Sequence, residues 1–225
     1  MHRTSFFKSL VPVGLGLALA GCAAPVSVGG MSQAELDLAA TAMMKASFRD
    51  QGIARVDRLD QDQANALCSQ AQSQGRELPE AIARAIEAEN ARTIKLPSDG
   101  RYLGDYKRGE TVAQSGRGMT WTDRSTDPKD NGGNCYNCHQ ISKAEISYGT
   151  IGPSLYQYGK LRGITDPQSE SARGIVEYTW GKIWNTRAYN ACSNMPRFGH
   201  SGLLNEQQMK DLMALLLDPK SPVNQ

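Results

Sequence analysis

An all-α fold, mostly helical with long irregular loops, is what this 225-residue sequence predicts. Three observations carry that expectation. Capped amphipathic runs stand near the two ends of the chain, at 33–48 and 205–217. From Leu96 the texture turns to Gly, Pro, Tyr and Asn, residues that favour turns and irregular backbone over regular elements. A helical domain with loops this long usually leaves part of its core to a bound group, and GGNCYNCHQ, residues 132–140, contains side chains able to hold one.

In chain order, Arg3 and Lys8 precede an apolar run from Leu10 to Ala20 that is too short to span a bilayer and ends in LAGC. This is an export signal. Leu19-Ala20-Gly21-Cys22 resembles the lipobox of bacterial lipoproteins, which implies a signal over 1–21 and a lipidated Cys22; the alternative is ordinary cleavage at the neighbouring alanines. Both readings place the protein in the periplasm, the first anchored to a membrane. Without Arg3 and Lys8 the 25 basic residues become 23, equal to the 23 acidic ones, and that balance excludes nucleic-acid binding.

Ser32 followed by Glu35 is a capping-box signature, and Leu36, Ala40, Met43 and Ser47 have helical spacing, so a first helix is expected over 33–48. Asp60 opens a second helical stretch to Gly75. Pro79 begins a third, Glu80 to about Arg92. Residues 22–95 thus read as a helical N-terminal extension and 96–225 as a second domain. Within the latter a helix is expected from Gly109 to Gln114. Another begins at Asn205, with Gln208 in the capping-box position and Met209, Leu212, Met213 and Leu216 on one face.

Cys135, Cys138 and His139 form C-x-x-C-H, the attachment pattern of c-type haem. Two thiols one helical turn apart can each add across a haem vinyl group, and the adjacent imidazole then meets the iron. A zinc site would need a fourth ligand, from Cys192 or His200, and a dithiol redox pair has no need of the histidine. Once the signal is removed only His139 and His200 remain as histidines, so a sixth iron ligand comes from Met195 or His200. A neutral thioether favours ferrous iron, which suits a haem that accepts electrons. With one cysteine lipidated and two on haem, Cys68 and Cys192 are left, and outside the cytoplasm such a couple is usually bridged. A bridge would be worth on the order of 4 kcal/mol by chain entropy and would tie the extension to the Met195 loop; the alternative is a free Cys192 thiol.

GTIGPSLYQYG, residues 149–159, resembles the loop of monohaem cytochromes c in which a proline carbonyl accepts the proximal histidine's second N–H, a role that falls to Pro153. Asn194-Met195-Pro196 resembles the methionine loop of class I cytochromes c. The fold expectation therefore narrows to a class I cytochrome c fold around one haem c, with His139 and Met195 on the iron.

GNCYNCHQ, GTIGPSLYQYGKLRG, YTWGKIWNTRAYNACSNMPRFGHSG and LLDPKSPVN together resemble the SoxX cytochrome subunits of the bacterial thiosulfate-oxidising Sox system, from Tyr102 to the end of the chain. The part before Leu96 is similar to the extension of longer SoxX members, whereas the lipobox departs from that family. The resemblance implies a heterodimer with a SoxA-type cytochrome, whose centre couples thiosulfate to a cysteine of a SoxYZ-type carrier. This chain would then have no active site of its own and would pass electrons to a small diffusible cytochrome c. Arg162, Lys160, Trp180 and Trp184 are candidate donors to the haem propionates. The rival function is a freestanding class I electron carrier.

Overall fold

The computed structural model describes residues 30–225, so the export signal and Cys22 lie outside the described residues. Six helices follow one another: α1 (Gln33–Ser47), α2 (Gln63–Ser73), α3 (Glu80–Ala91), α4 (Tyr106–Gln114), α5 (Arg173–Trp184) and α6 (Glu206–Leu217), with short 3₁₀ turns between them. Among the described residues there is no β-strand, only an isolated antiparallel bridge between Gln51 and Ala54. The fold is all-α.

By packing, the described residues divide into two compact units, one ending at Met43 and the other running from Met44 to Gln225. α1 begins with the reciprocal cap its sequence announces: Glu35 N–H donates to Ser32 Oγ, and Ser32 N–H donates to Glu35 Oε2 at 2.8 Å. The helix buries none of its residues.

In the second unit α3 and α6 start where the sequence places them, after Pro79 and Asn205, whereas the starts of α2 and α4 differ and caps decide where. α2 begins after Asp62, whose carboxylate accepts from Asn65 N–H at 2.8 Å; Asp60 instead closes the preceding turn by donating its N–H to Asp57. α4 begins at Tyr106, ahead of Gly109, because Asp105 accepts from Arg108 N–H at 2.9 Å. α5 has no side-chain cap and includes Gly174 and Gly181, so its local signal is weak. Burial of Val176, Thr179, Trp180 and Ile183 holds it in place.

α6 is the central helix, with every residue from Gln208 to Leu217 buried. α4 crosses it at close range: a Cβ on Gly109 would run into the Asp211 carbonyl, so only glycine permits the approach. Arg108 closes the crossing on Asp211 at 2.9 Å.

The expected division at residue 95 is a change of sequence texture, and packing draws its line elsewhere. α2 and α3 pack in the same unit as the helices that follow. Asn185 donates to Asn90 and to Thr93, both at 2.9 Å, and Trp180 Nε1 donates to the Lys95 carbonyl at 2.8 Å.

Candidate functional site: a haem attachment segment and a methionine loop

The segment 132–139 is held by its own backbone against the end of α4. Gly132, Gly133 and Asn134 donate N–H groups to the carbonyls of Arg117, Val112 and Ser115 at 2.8–2.9 Å. A Cβ on Gly132 would collide with Ser115, which explains a glycine there, and Asn134 turns the chain with a left-handed φ of 49°. Cys135–Asn137 then forms one 3₁₀ turn that presents both cysteines as free thiols. Tyr136, between them, is buried and donates its hydroxyl to Glu110 Oε1 at 2.8 Å. Burial, reinforced by that carboxylate, pushes the Tyr136 phenol above its usual range.

Burial also pushes the Cys135 thiol up to about 12. Cys192 is engaged in a disulfide and cannot serve as a fourth zinc ligand.

The loop 149–155 runs alongside the attachment segment, with Gly149, Gly152 and Leu155 donating N–H groups to the carbonyls of Tyr136, Cys138 and Gln140 at 2.7–2.8 Å. That register brings His139 Nδ1 to 2.7 Å from the Pro153 carbonyl oxygen. A carbonyl only accepts, so Nδ1 carries the proton and Nε2 keeps its lone pair for a metal. Gly152 lies so close to the imidazole that a Cβ there would overlap the ring.

The methionine loop is held differently. Met195 packs against the hydrophobic core, and its N–H donates to Ser193 Oγ, which also accepts from Thr186 Oγ1 at 2.9 Å. Upstream, Cys192 is joined to Cys68 of α2 in a disulfide. Arg187, buried, donates to both carboxylate oxygens of Asp62 at 2.8–2.9 Å and to Asn65 Oδ1, and Arg197 adds a contact to Asp62 at 3.0 Å. Partial burial would raise the Asp62 carboxyl, but the Asn65 N–H and the two guanidiniums outweigh it and hold the group below its ordinary value. Downstream, a Cβ on Gly199 would strike the Trp184 ring, and His200 N–H donates to the Trp184 carbonyl at 3.0 Å. His200 itself is exposed.

The candidate propionate donors separate. Arg162 is exposed and committed to Tyr158, stacking 3.6 Å above its ring and donating to its carbonyl. Trp180 donates to Lys95, as above, and Lys160 is exposed. Trp184 alone of the four has a buried donor, Nε1, with no partner. An orphaned indole N–H beside the core is a group awaiting an acceptor.

These residues fit a covalently bound haem: two free thiols, an imidazole with its tautomer fixed, a thioether packed on the same core as Cys135, and an unpartnered buried donor. Sequence reasoning missed Glu110, Gly152, Asp62 and Arg187. Gly152 adjoins Pro153 and Arg187 stands in the run before Met195, but Glu110, Asp62 and Arg187 gain their roles from contacts across more than twenty residues of sequence.

Comparison with known proteins bears on the domain that carries these residues. Residues 129–219 match the family model described as Cytochrome c. The chain is also 38% identical over 134 residues to a protein of Aquifex aeolicus (strain VF5) described as an uncharacterized lipoprotein. That match takes in 59% of this chain and spans 58% of the relative's length. A cytochrome c domain is therefore present, which implies covalently bound haem c and an electron-transfer role.

Proposed function

We propose that this domain carries one haem c through Cys135 and Cys138, with His139 and Met195 as the axial ligands, and that the chain is the electron-accepting SoxX-type subunit of a thiosulfate-oxidising complex. The observation that carries the ligand assignment is the 2.7 Å contact between His139 Nδ1 and the Pro153 carbonyl, which frees Nε2 for iron in a cytochrome c domain. The Sox-specific part rests on the four sequence runs from residue 133 to 224 that resemble that family.

When bound, haem c supplies a one-electron ferric/ferrous couple. The protein's residues fix its conditions. Pro153 orients the imidazole and strengthens it as a donor. Met195 would favour the reduced state of the iron, and with His139 and Met195 both holding it no position would remain for substrate. Trp184 Nε1 would donate to a propionate. A SoxA-type partner would perform the oxidative coupling of thiosulfate to the cysteine of a SoxYZ-type carrier. The two electrons released would pass through this haem one at a time to a small diffusible cytochrome c.

Export is part of the reading, with Cys22 as the lipidated residue of the mature chain in the periplasm; the relative's description as a lipoprotein supports it. No helix among the described residues is long and apolar enough to cross a membrane; on this reading the lipid on Cys22 is the anchor. Cys22→Ser should release the protein from the membrane fraction.

The test is co-expression with a SoxA-type subunit. The pair should co-purify, and thiosulfate should reduce this haem only when that subunit and the carrier protein are both present. Equal reduction by unrelated cytochromes with no co-purification would point to a freestanding carrier.

A further inference from the structure

The Cys68–Cys192 disulfide lines an open cleft of about 500 Å³ between α2, α3 and the loop before Met195, together with Asn65, Arg76, Glu87 and Asn190. Its two sulfurs differ in access: Cys192 is exposed, whereas Cys68 is half-buried on the inner face of α2. A disulfide needed only as a staple gains nothing from facing a cleft.

Nor is it the sole tie that joins α2 and α3 to the segment ending in the methionine loop. The bidentate Arg187–Asp62 pair, the Arg197–Asp62 contact, the Asn185–Asn90 bond and a hydrogen bond from Ala191 N–H to Glu87 at 3.2 Å all span the same junction. These would survive opening of the S–S bond. The disulfide is the one covalent tie on the short stretch from Cys192 to Met195; its other holds are hydrogen bonds from Cys192 and Ser193 N–H to Asn190, a pair of bonds to Ser193 Oγ and the packing of Met195 on the core.

We propose that Cys192 is the entry point of a thiol–disulfide exchange site that accepts a dithiol, and that its redox state sets how firmly Met195 is held on the haem iron. The second clause rests on Met195 being the sixth ligand. In the exchange a thiolate of the dithiol attacks Cys192 Sγ. The Cys68–Cys192 bond breaks, and Cys68 leaves as a thiolate that takes up a proton. The Ala191 carbonyl oxygen, 3.7 Å from Cys68 Sγ, is placed to accept a hydrogen bond from the new thiol. The second thiol of the reagent, as its thiolate, then attacks its own partner sulfur in the mixed disulfide and releases Cys192. The dithiol is oxidised by two electrons to a disulfide, and the cystine is reduced to two thiols.

The experiment uses the full-length holoprotein. It is reduced with dithiothreitol, alkylated with iodoacetamide and reoxidised at iron with ferricyanide, alongside a Cys68→Ser/Cys192→Ser variant. Both should retain the native helical circular dichroism. In both, the thioether-to-iron charge-transfer band should weaken, and imidazole should bind the ferric iron about tenfold more tightly than in the untreated protein, equivalent to ~1.4 kcal/mol. Glutathione, used as a monothiol probe, should be trapped on Cys192. An unchanged band and unchanged imidazole affinity after complete alkylation would overturn the proposal. So would trapping on Cys68, or loss of helical structure, since the salt bridges are argued to hold the junction unaided. Absence of the band from the untreated protein would instead reject Met195 as ligand, so the two failures are distinguishable.

Discussion

The two loops that would grip the haem iron are built by opposite means. The attachment segment and the 149–155 loop are tied by backbone hydrogen bonds to α4 and to each other, all within about fifty residues of chain. The methionine loop is tied by side chains and a disulfide to α2 and α3, partners 104–135 residues away that lie before the region matching the cytochrome c family. Backbone ties involve no titrating or redox-active side chain, whereas the Asp62 ion pairs are lost in acid and the disulfide is lost on reduction. The histidine side is thus fixed and the methionine side adjustable.

The attachment side should break most completely. Cys135→Ala with Cys138→Ala should leave no haem that survives denaturation, as read by haem staining of a denaturing gel. Gly152→Ala attacks the same side without touching a ligand. Its Cβ must displace the His139 ring, and overpacking of this kind costs about 1–3 kcal/mol. The midpoint of urea unfolding should fall accordingly, and the low-spin ferric signal should shift.

On the methionine side, Asp62→Ala strands a buried arginine. Because Asp62 is 41% exposed, the full penalty for breaking a buried pair is discounted to about 2 kcal/mol, measured as a lower unfolding midpoint. The same residue gives a pH dependence. Its folded carboxyl titrates below its unfolded value, so it stabilises fully above the ordinary carboxylate range, near pH 4, and that contribution is lost as pH falls through the lowered value. Asp62→Asn should flatten the acid limb of stability against pH. The smallest effect belongs to Tyr136→Phe, which leaves Glu110 without its hydroxyl partner and should cost about 1 kcal/mol.

This asymmetry also explains what was legible in the sequence. The C-x-x-C-H motif, Pro153 and the capping box of α6 are local patterns whose geometry follows from neighbouring residues, and each could be read from the chain as written. The start of α2 could not, because Asp60 and Asp62 are equal as caps until Arg187 and Asn65 choose between them. α5 was missed for a similar reason. Its glycines lower helix propensity, and only the burial of Trp180 and its neighbours in the core restores the helix. Arg162 was attractive as a propionate donor by charge alone, but Tyr158, four residues earlier, occupies it.

The central claim is that Met195 completes the iron's coordination from a loop the extension holds in place. The most direct measurement is the ferric absorption spectrum of the purified holoprotein and of Met195→Ala, read at the red-end thioether-to-iron charge-transfer band. The account predicts the band in the parent protein and its abolition in the variant, with His200→Ala unchanged. A band that survives Met195→Ala, or a bis-histidine spectrum lost in His200→Ala, would contradict it.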